Sequence, residues 1–185
     1  MTVTISVITA VPSDMDIFIG VDVGGSHVSV GYLDESGRVI SDQIKYINAL
    51  TLEPEQLIEC ITTLIDVQRK DNHSVIYNIR SIGIGCPGQC KNGSIVSASN
   101  FPLFHSFPIV NILSGLYSWI PIVLLNDADA AISAEVWGHS SCDVYKEYHN
   151  IVMITLGTGI GCGLILQNQL YQGMQLFEHV FISKL

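Results

Sequence analysis

The chain is poor in positive charge. Eight Lys and Arg stand against seventeen Asp and Glu, a formal net charge of -9 with no basic cluster. Surfaces that hold nucleic acid or anionic membrane need the opposite balance, so neither partner is expected. Long hydrophobic runs are missing as well, since no stretch reaches the roughly 18 apolar residues of a membrane span. The opening "MTVTISVITAVPSDMD" is apolar but lacks the basic stretch of a signal peptide. Residues 1–16 are expected to be a leader outside the fold, and the chain to be cytoplasmic. Cysteine occurs without metal spacing: Cys60, Cys86, Cys90, Cys142 and Cys162 include no C-x2-C pair. In "CPGQC" a rigid Pro-Gly separates Cys86 from Cys90, and reduced thiols are the expected state. With 48% hydrophobic residues, the 185-residue chain has material for a globular core.

That apolar content is patterned. "IFIGVDV" (17–23) reads as a strand, Gly24-Gly25 as a tight turn, and "HVSVGYL" as a returning strand. "ESG" turns the chain into "RVISDQIKYI", a third strand. "PEQLIECITTLIDVQRK" carries a helical stripe at Leu57, Ile58, Ile61, Leu64 and Ile65. "IRSIGIG" and "PIVLLN" read as buried strands and "SIVSAS" as a short extended piece. "PIVNILSGLYSWI" reads as a helix with Pro in its first turn, and "ADAAISAEVWG" as one closing on Gly138. The order β-β-β-α-β-(β)-α-β-α predicts a mixed α/β sheet, antiparallel first and joined by crossovers later. "HSSCDVYKEYHN" (139–150) is polar and irregular and marks a boundary. Beyond it "IVMITL-GTG-IGCGLIL" repeats the plan of "IFIGVDV-GG-SHVSVGYL".

Glycine at a hairpin tip tolerates positive φ and uncovers backbone N–H groups. Two such turns facing each other would present donors to a polyphosphate without any cationic side chain. The other reading of each turn is a plain buried hairpin. A dinucleotide fingerprint is excluded at 157–163, because G-T-G-I-G-C-G has the wrong spacing and a strand follows where a helix is required. Asp22, at the end of the first strand, is read either as a Mg2+ carboxylate acting through water or as an Asx-turn residue. Asp127 is read either as a helix N-cap or as a general base at the carboxyl end of a buried strand.

Five segments in order resemble the ROK family of sugar kinases (repressor, open reading frame, kinase), within the actin-like ATPase superfamily. They are "IGVDVGGSHVSVGYLD", "GIGCPGQC", "SNFP", "LLNDADAAISAEVWG" and "ITLGTGIGCGLI", spanning 17 to about 173. The resemblance implies an α/β, ribonuclease H-like first lobe with a mixed sheet over 17–138. It implies a linker at 139–150 and the opening strands of an incomplete second lobe over 151–185. It implies ATP and Mg2+ as cofactors and phosphorylation of a hexose or N-acetylhexosamine, with Asp127 as base. Asn100, Asn126, Glu178 and His179 would meet the sugar. Asp22, Gly24, Gly25 and Ser26 would serve phosphate and Mg2+, while Thr155, Gly157, Thr158 and Gly159 would take the ATP phosphates.

The match departs in two places. His27 stands where the family often has Lys or Arg, and Glu178-His179 are adjacent where the family has Gly-Glu-x-Gly-His. The family's cysteine-rich loop would fall beyond residue 185, so its zinc is not expected. The alternative expectation is a catalytically incompetent fragment, truncated or spliced, that binds sugar weakly and pairs with another copy or a full-length relative. A repressor of the same family is not expected, because about sixteen non-basic residues precede the first strand.

Overall fold

Alternation builds the first sheet. In β1 (Met15–Val23) Ile17, Ile19, Val21 and Val23 point into the core, and in β2 (His27–Leu33) so do Val28, Val30 and Tyr32. A strand buried on one face requires that period of two. The computed structural model describes residues 15–71, 77–138, 147–156 and 160–172, the side chains of 68–71 excepted. Residues 1–14 of the expected leader and most of the 139–150 boundary lie outside these residues, while Met15 and Asp16, expected in the leader, open β1 through pairing with Tyr77 and Asn78.

The first sheet has five strands in the order β3-β2-β1-β4-β8, where β3 is Val39–Tyr46, β4 is Tyr77–Cys86 and β8 is Ile122–Asn126. β1, β2 and β3 run antiparallel; β4 and β8 lie parallel to β1. This is the expected meander followed by crossovers. The first crossover runs through α1 (Pro54–Asp71), which buries Leu57, Ile61, Leu64 and Ile65 at helical spacing. Each such side chain contributes about 1.5–3 kcal/mol by leaving water. The Tyr32 hydroxyl donates to the Ile65 carbonyl at 3.0 Å and ties the helix to β2.

The second crossover carries a small sheet, β5-β6-β7 (Gln89–Lys91, Ser94–Ser97, His105–Phe107), of which β7 is not evident in the sequence. Phe101, Phe104 and Phe107 stack edge to face beside it. α2 follows at Ile109–Leu116, shorter than the 13-residue segment "PIVNILSGLYSWI" suggests. It ends where Tyr117 N–H returns to the Leu113 carbonyl and Trp119 takes φ 77°, a left-handed conformation that no helix continues through.

α3 (Asp127–Gly138) leaves the end of β8 and packs on a second sheet, β11-β10-β9 (Gln169–Leu170, Ile160–Leu166, Ile151–Leu156). Two glycines of β10 make that packing close. A Cβ on Gly163 would stand 2.5 Å from the Ala128 carbonyl and 2.7 Å from Ile132 Cγ2, and one on Gly161 would stand 3.3 Å from the Ala128 side chain. The other face of β9 exposes Val152, Ile154 and Leu156, the last 80% open. Among the described residues no helix is long and apolar enough to cross a membrane.

Candidate active site

The carboxyl ends of β1, β4 and β8 lie side by side. Register pairs Asp22 with Gly85 and Gly85 with Leu125, then Cys86 with Asn126, so Asp127 emerges just past the Asp22 row. Two strand spacings, about 10 Å, separate the outer strands. The carboxyl edge of parallel strands, where loops and helix starts converge, is the usual seat of chemistry in such sheets.

Gly24, Gly25 and Ser26 turn the chain past Asp22. Gly24 N–H is used within the turn, on the His27 carbonyl at 2.8 Å. The N–H groups of Gly25 and Ser26 take no acceptor among the described residues. Neither glycine has positive φ, contrary to the expectation; that conformation falls instead to Gly37, Gly88 and Gly93. Close approach explains Gly24, since a Cβ there would press on the His27 carbonyl at 3.2 Å. His27 lies between Ser26 Oγ, 3.2 Å from its Nδ1, and Asp22 Oδ2, 3.9 Å from its Nε2. Partial burial pushes the Asp22 carboxyl above its ordinary range, with His27 lowering it and the charge of Asp127 raising it. The side chain is still 63% exposed, so solvent screens much of this.

Asn126 takes the capping role that the sequence also offered to its neighbour. Its Oδ1 accepts from Ala128 N–H at 2.9 Å and Asp129 N–H at 3.4 Å, which makes Asn126 the cap of α3. Asp127 is thereby the first helical residue. Among the described residues its exposed carboxylate accepts only the adjacent Ala128 N–H, at 2.8 Å. Asn126 is 4% exposed, and its Nδ2 donates to the Gly88 carbonyl at 3.0 Å, leaving one amide N–H. Gly88 needs its φ of 90°, and a Cβ there would collide with Ser97 and Ala98. The Pro-Gly turn is thus wedged against β6 and bonded to the cap. Asn100 comes to the first turn from the other side, its Nδ2 3.7 Å from where a Cβ on Gly25 would stand.

Thr155 lies on the α3-facing side of β9, opposite Gly161. Gly157, Thr158 and Gly159, like Glu178 and His179, fall outside the described residues. The structure therefore brings together Asp22, Gly24, Gly25, Ser26, Asn100, Asn126 and Asp127, with Thr155 across α3. The reading of the sequence missed Gly88 as the anchor of Asn126; its only signal is a glycine after proline, which fits many turns.

The donor set fits a magnesium-bound phosphate. Two N–H groups without acceptors, the Ser26 hydroxyl and a carboxylate open to solvent are what such a group uses. No group of three or more His, Cys, Asp or Glu among the described residues forms a metal cage, so a cation here would need phosphate or water to complete its shell.

The model of the ROK family matches residues 18–179. A glucokinase of Streptomyces coelicolor is 31% identical over 86% of this chain and 46% of its own. A xylose repressor of Caldicellulosiruptor bescii is 25% identical over 90% of this chain and 41% of its own. The crystal structure of a ROK family glucokinase from Streptomyces griseus, in complex with glucose and AMPPNP, superposes with a TM-score of 0.69 at 26% identity. It covers 85% of this chain and 47% of that one. The chain spans about half the length of the relatives it matches, and its fold is the actin-like ATPase fold.

Proposed function

The chain belongs to the ROK family, and from that premise we propose that it phosphorylates a hydroxyl of a hexose or N-acetylhexosamine at the expense of ATP, with Asp127 as general base. One observation carries the reading: Asn126 caps α3, which leaves the Asp127 carboxylate open at the edge of the parallel strands beside a turn of free N–H donors. Bound ATP supplies the phosphoryl group, and Mg2+ its charge neutralisation. Asp127 accepts the proton of the sugar hydroxyl as that oxygen bonds to the γ-phosphorus and the bond to the departing ADP breaks. The N–H groups of Gly25 and Ser26, the Ser26 hydroxyl and Gly24 would hold phosphate, and Asp22 would hold Mg2+ through water. Asn100 and the remaining N–H of Asn126 hold the sugar, joined by Glu178 and His179. Thr155, Gly157, Thr158 and Gly159 close on the phosphates from the second lobe. Positioning and charge stabilisation supply most of the rate in such transfers.

A glucokinase among the relatives and a glucokinase structure with glucose and AMPPNP support this chemistry. A xylose repressor also matches; the exposed Asp127 carboxylate is what favours phosphoryl transfer here. Use of ATP accords with residence in the cytoplasm. The domain reading remains 17–138 and 151–185 around a linker at 139–150. The test is ADP release across a panel of hexoses and N-acetylhexosamines. The reading fails if none raises ADP release above hydrolysis without sugar.

A second reading is favoured by the exposed stripe Val152, Ile154 and Leu156 on edge strand β9. In it the chain binds sugar without transferring phosphate and pairs with a second copy through that apolar face. Light scattering against concentration tests it: Ile154→Lys would leave a monomer where the parent dimerises. A parent that is monomeric throughout would contradict it.

A further inference from the structure

The phosphoryl-transfer reading leaves two thiols without a role. Cys86 ends β4 in complete burial, and Cys90 sits half-buried in β5 across the Pro87-Gly88 turn. Cys86 Sγ donates to the Pro87 carbonyl at 3.5 Å and Cys90 Sγ to the Cys86 carbonyl at 3.9 Å. The neighbouring Cys90 thiol first, and burial second, hold the Cys86 thiol well above its ordinary range. The turn between them is fixed, because Gly88 is wedged against Ser97 and Ala98 and its carbonyl is bonded to Asn126. The two thiols are therefore neighbours across one fixed turn.

We propose that Cys86 and Cys90 form a modification site, closing to an intramolecular disulfide when the chain meets hydrogen peroxide. Cys90, the less buried of the two, attacks one peroxide oxygen. The O–O bond breaks, the thiol proton leaves with the departing oxygen as water, and Cys90 becomes a sulfenic acid. The Cys86 sulfur then attacks the Cys90 sulfur. The S–O bond breaks, and hydroxide departs with the Cys86 proton as a second water. Two electrons pass from the thiol pair to the peroxide, and a dithiol returns them by exchange.

The bond would form next to the base. Cys86 is the register partner of Asn126, and the five-residue ring would contain Gly88, whose carbonyl holds the Asn126 amide. Bringing the sulfurs to about 2.05 Å tightens that turn and strains the Gly88–Asn126 bond. Oxidation is thus expected to weaken the site, a consequence that rests on the phosphoryl-transfer reading; the disulfide itself does not.

The experiment treats the full chain with a small excess of hydrogen peroxide, blocks it with N-ethylmaleimide in denaturant and digests it with trypsin. Both cysteines fall in one peptide, residues 81–91. The expected product is that peptide lighter by two hydrogens and without adduct, restored to the doubly blocked form by prior dithiothreitol. Cys90→Ser and, independently, Cys90→Ala abolish the loss of mass. The proposal is overturned if the peptide keeps both adducts while other cysteines oxidise. It is equally overturned if Cys90 reaches sulfinic acid with Cys86 still alkylated, or if either links to a different cysteine. Sugar-dependent ADP release measured on the same samples reports the functional consequence separately. A disulfide without loss of turnover keeps the site and refutes its effect on the base.

Discussion

Replacing Asn126 by Ala removes two things at once. The Ala128 and Asp129 N–H groups lose their cap, worth about 1 kcal/mol in typical helices. The buried Gly88 carbonyl loses its donor, which costs about 1–3 kcal/mol when nothing replaces it. Together Asn126→Ala is expected to lower stability by about 2–4 kcal/mol. For a chain of this size each kcal/mol moves Tm by about 2–4 °C, so the melt should fall by about 5–15 °C. Asn126→Asp separates the contributions. Its carboxylate still caps the helix and suits the positive end of the dipole, but it offers Gly88 no proton. It should therefore melt between the parent and Asn126→Ala. Calorimetry or circular dichroism on the three proteins measures this. The reasoning is refuted if Asn126→Ala melts within about 1 °C of the parent, well inside the expected shift, or if Asn126→Asp is no better than Asn126→Ala.

Gly163→Ala places a Cβ 2.5 Å from the Ala128 carbonyl and should cost about 1–3 kcal/mol in urea denaturation, lowering turnover through the displaced start of α3. Gly115→Ala, whose added Cβ meets nothing within 4 Å, is the matched control and should gain up to about 1 kcal/mol. Asp22→Asn should melt higher than the parent at neutral pH while losing activity. A carboxyl raised in the fold weighs on stability once ionised, so the gap is present above the raised value and closes as pH falls to the ordinary carboxylate range. At 63% exposure it should stay below about 1 kcal/mol. Melts across that pH range give the sign, and a gap that widens in acid contradicts it.

The framework was legible because it rests on period. Ile17, Ile19, Val21 and Val23 alternate, and Leu57, Ile61, Leu64 and Ile65 repeat at helical spacing, so β1 and α1 appear in both readings. What escaped depends on which neighbour a residue meets. Gly157 and Gly159 look the same in sequence as Gly161 and Gly163, yet the latter pair makes room for Ala128 and Ile132 of α3. Asn126 and Asp127 are both good capping residues, and only the hydrogen bonds to Ala128 and Asp129 assign the cap to Asn126. Gly24-Gly25 suggested positive φ by composition, whereas the turn uses their missing side chains. β7 is three residues long and held by pairing to β6, with no periodicity to announce it. α2 stops early at Tyr117, whose backbone leaves the helical region, and Tyr is not a residue type that announces a helix end.

The central claim is that the Asp127 carboxylate, released from capping, takes the proton of the sugar. Asp127→Asn keeps an oxygen for the Ala128 N–H and removes only the basicity. Steady-state ADP release and equilibrium sugar binding, measured side by side on parent and variant, test it. The account predicts a fall in sugar-dependent kcat of about 10²–10⁴-fold with sugar affinity unchanged. Equal kcat in the two proteins would contradict it.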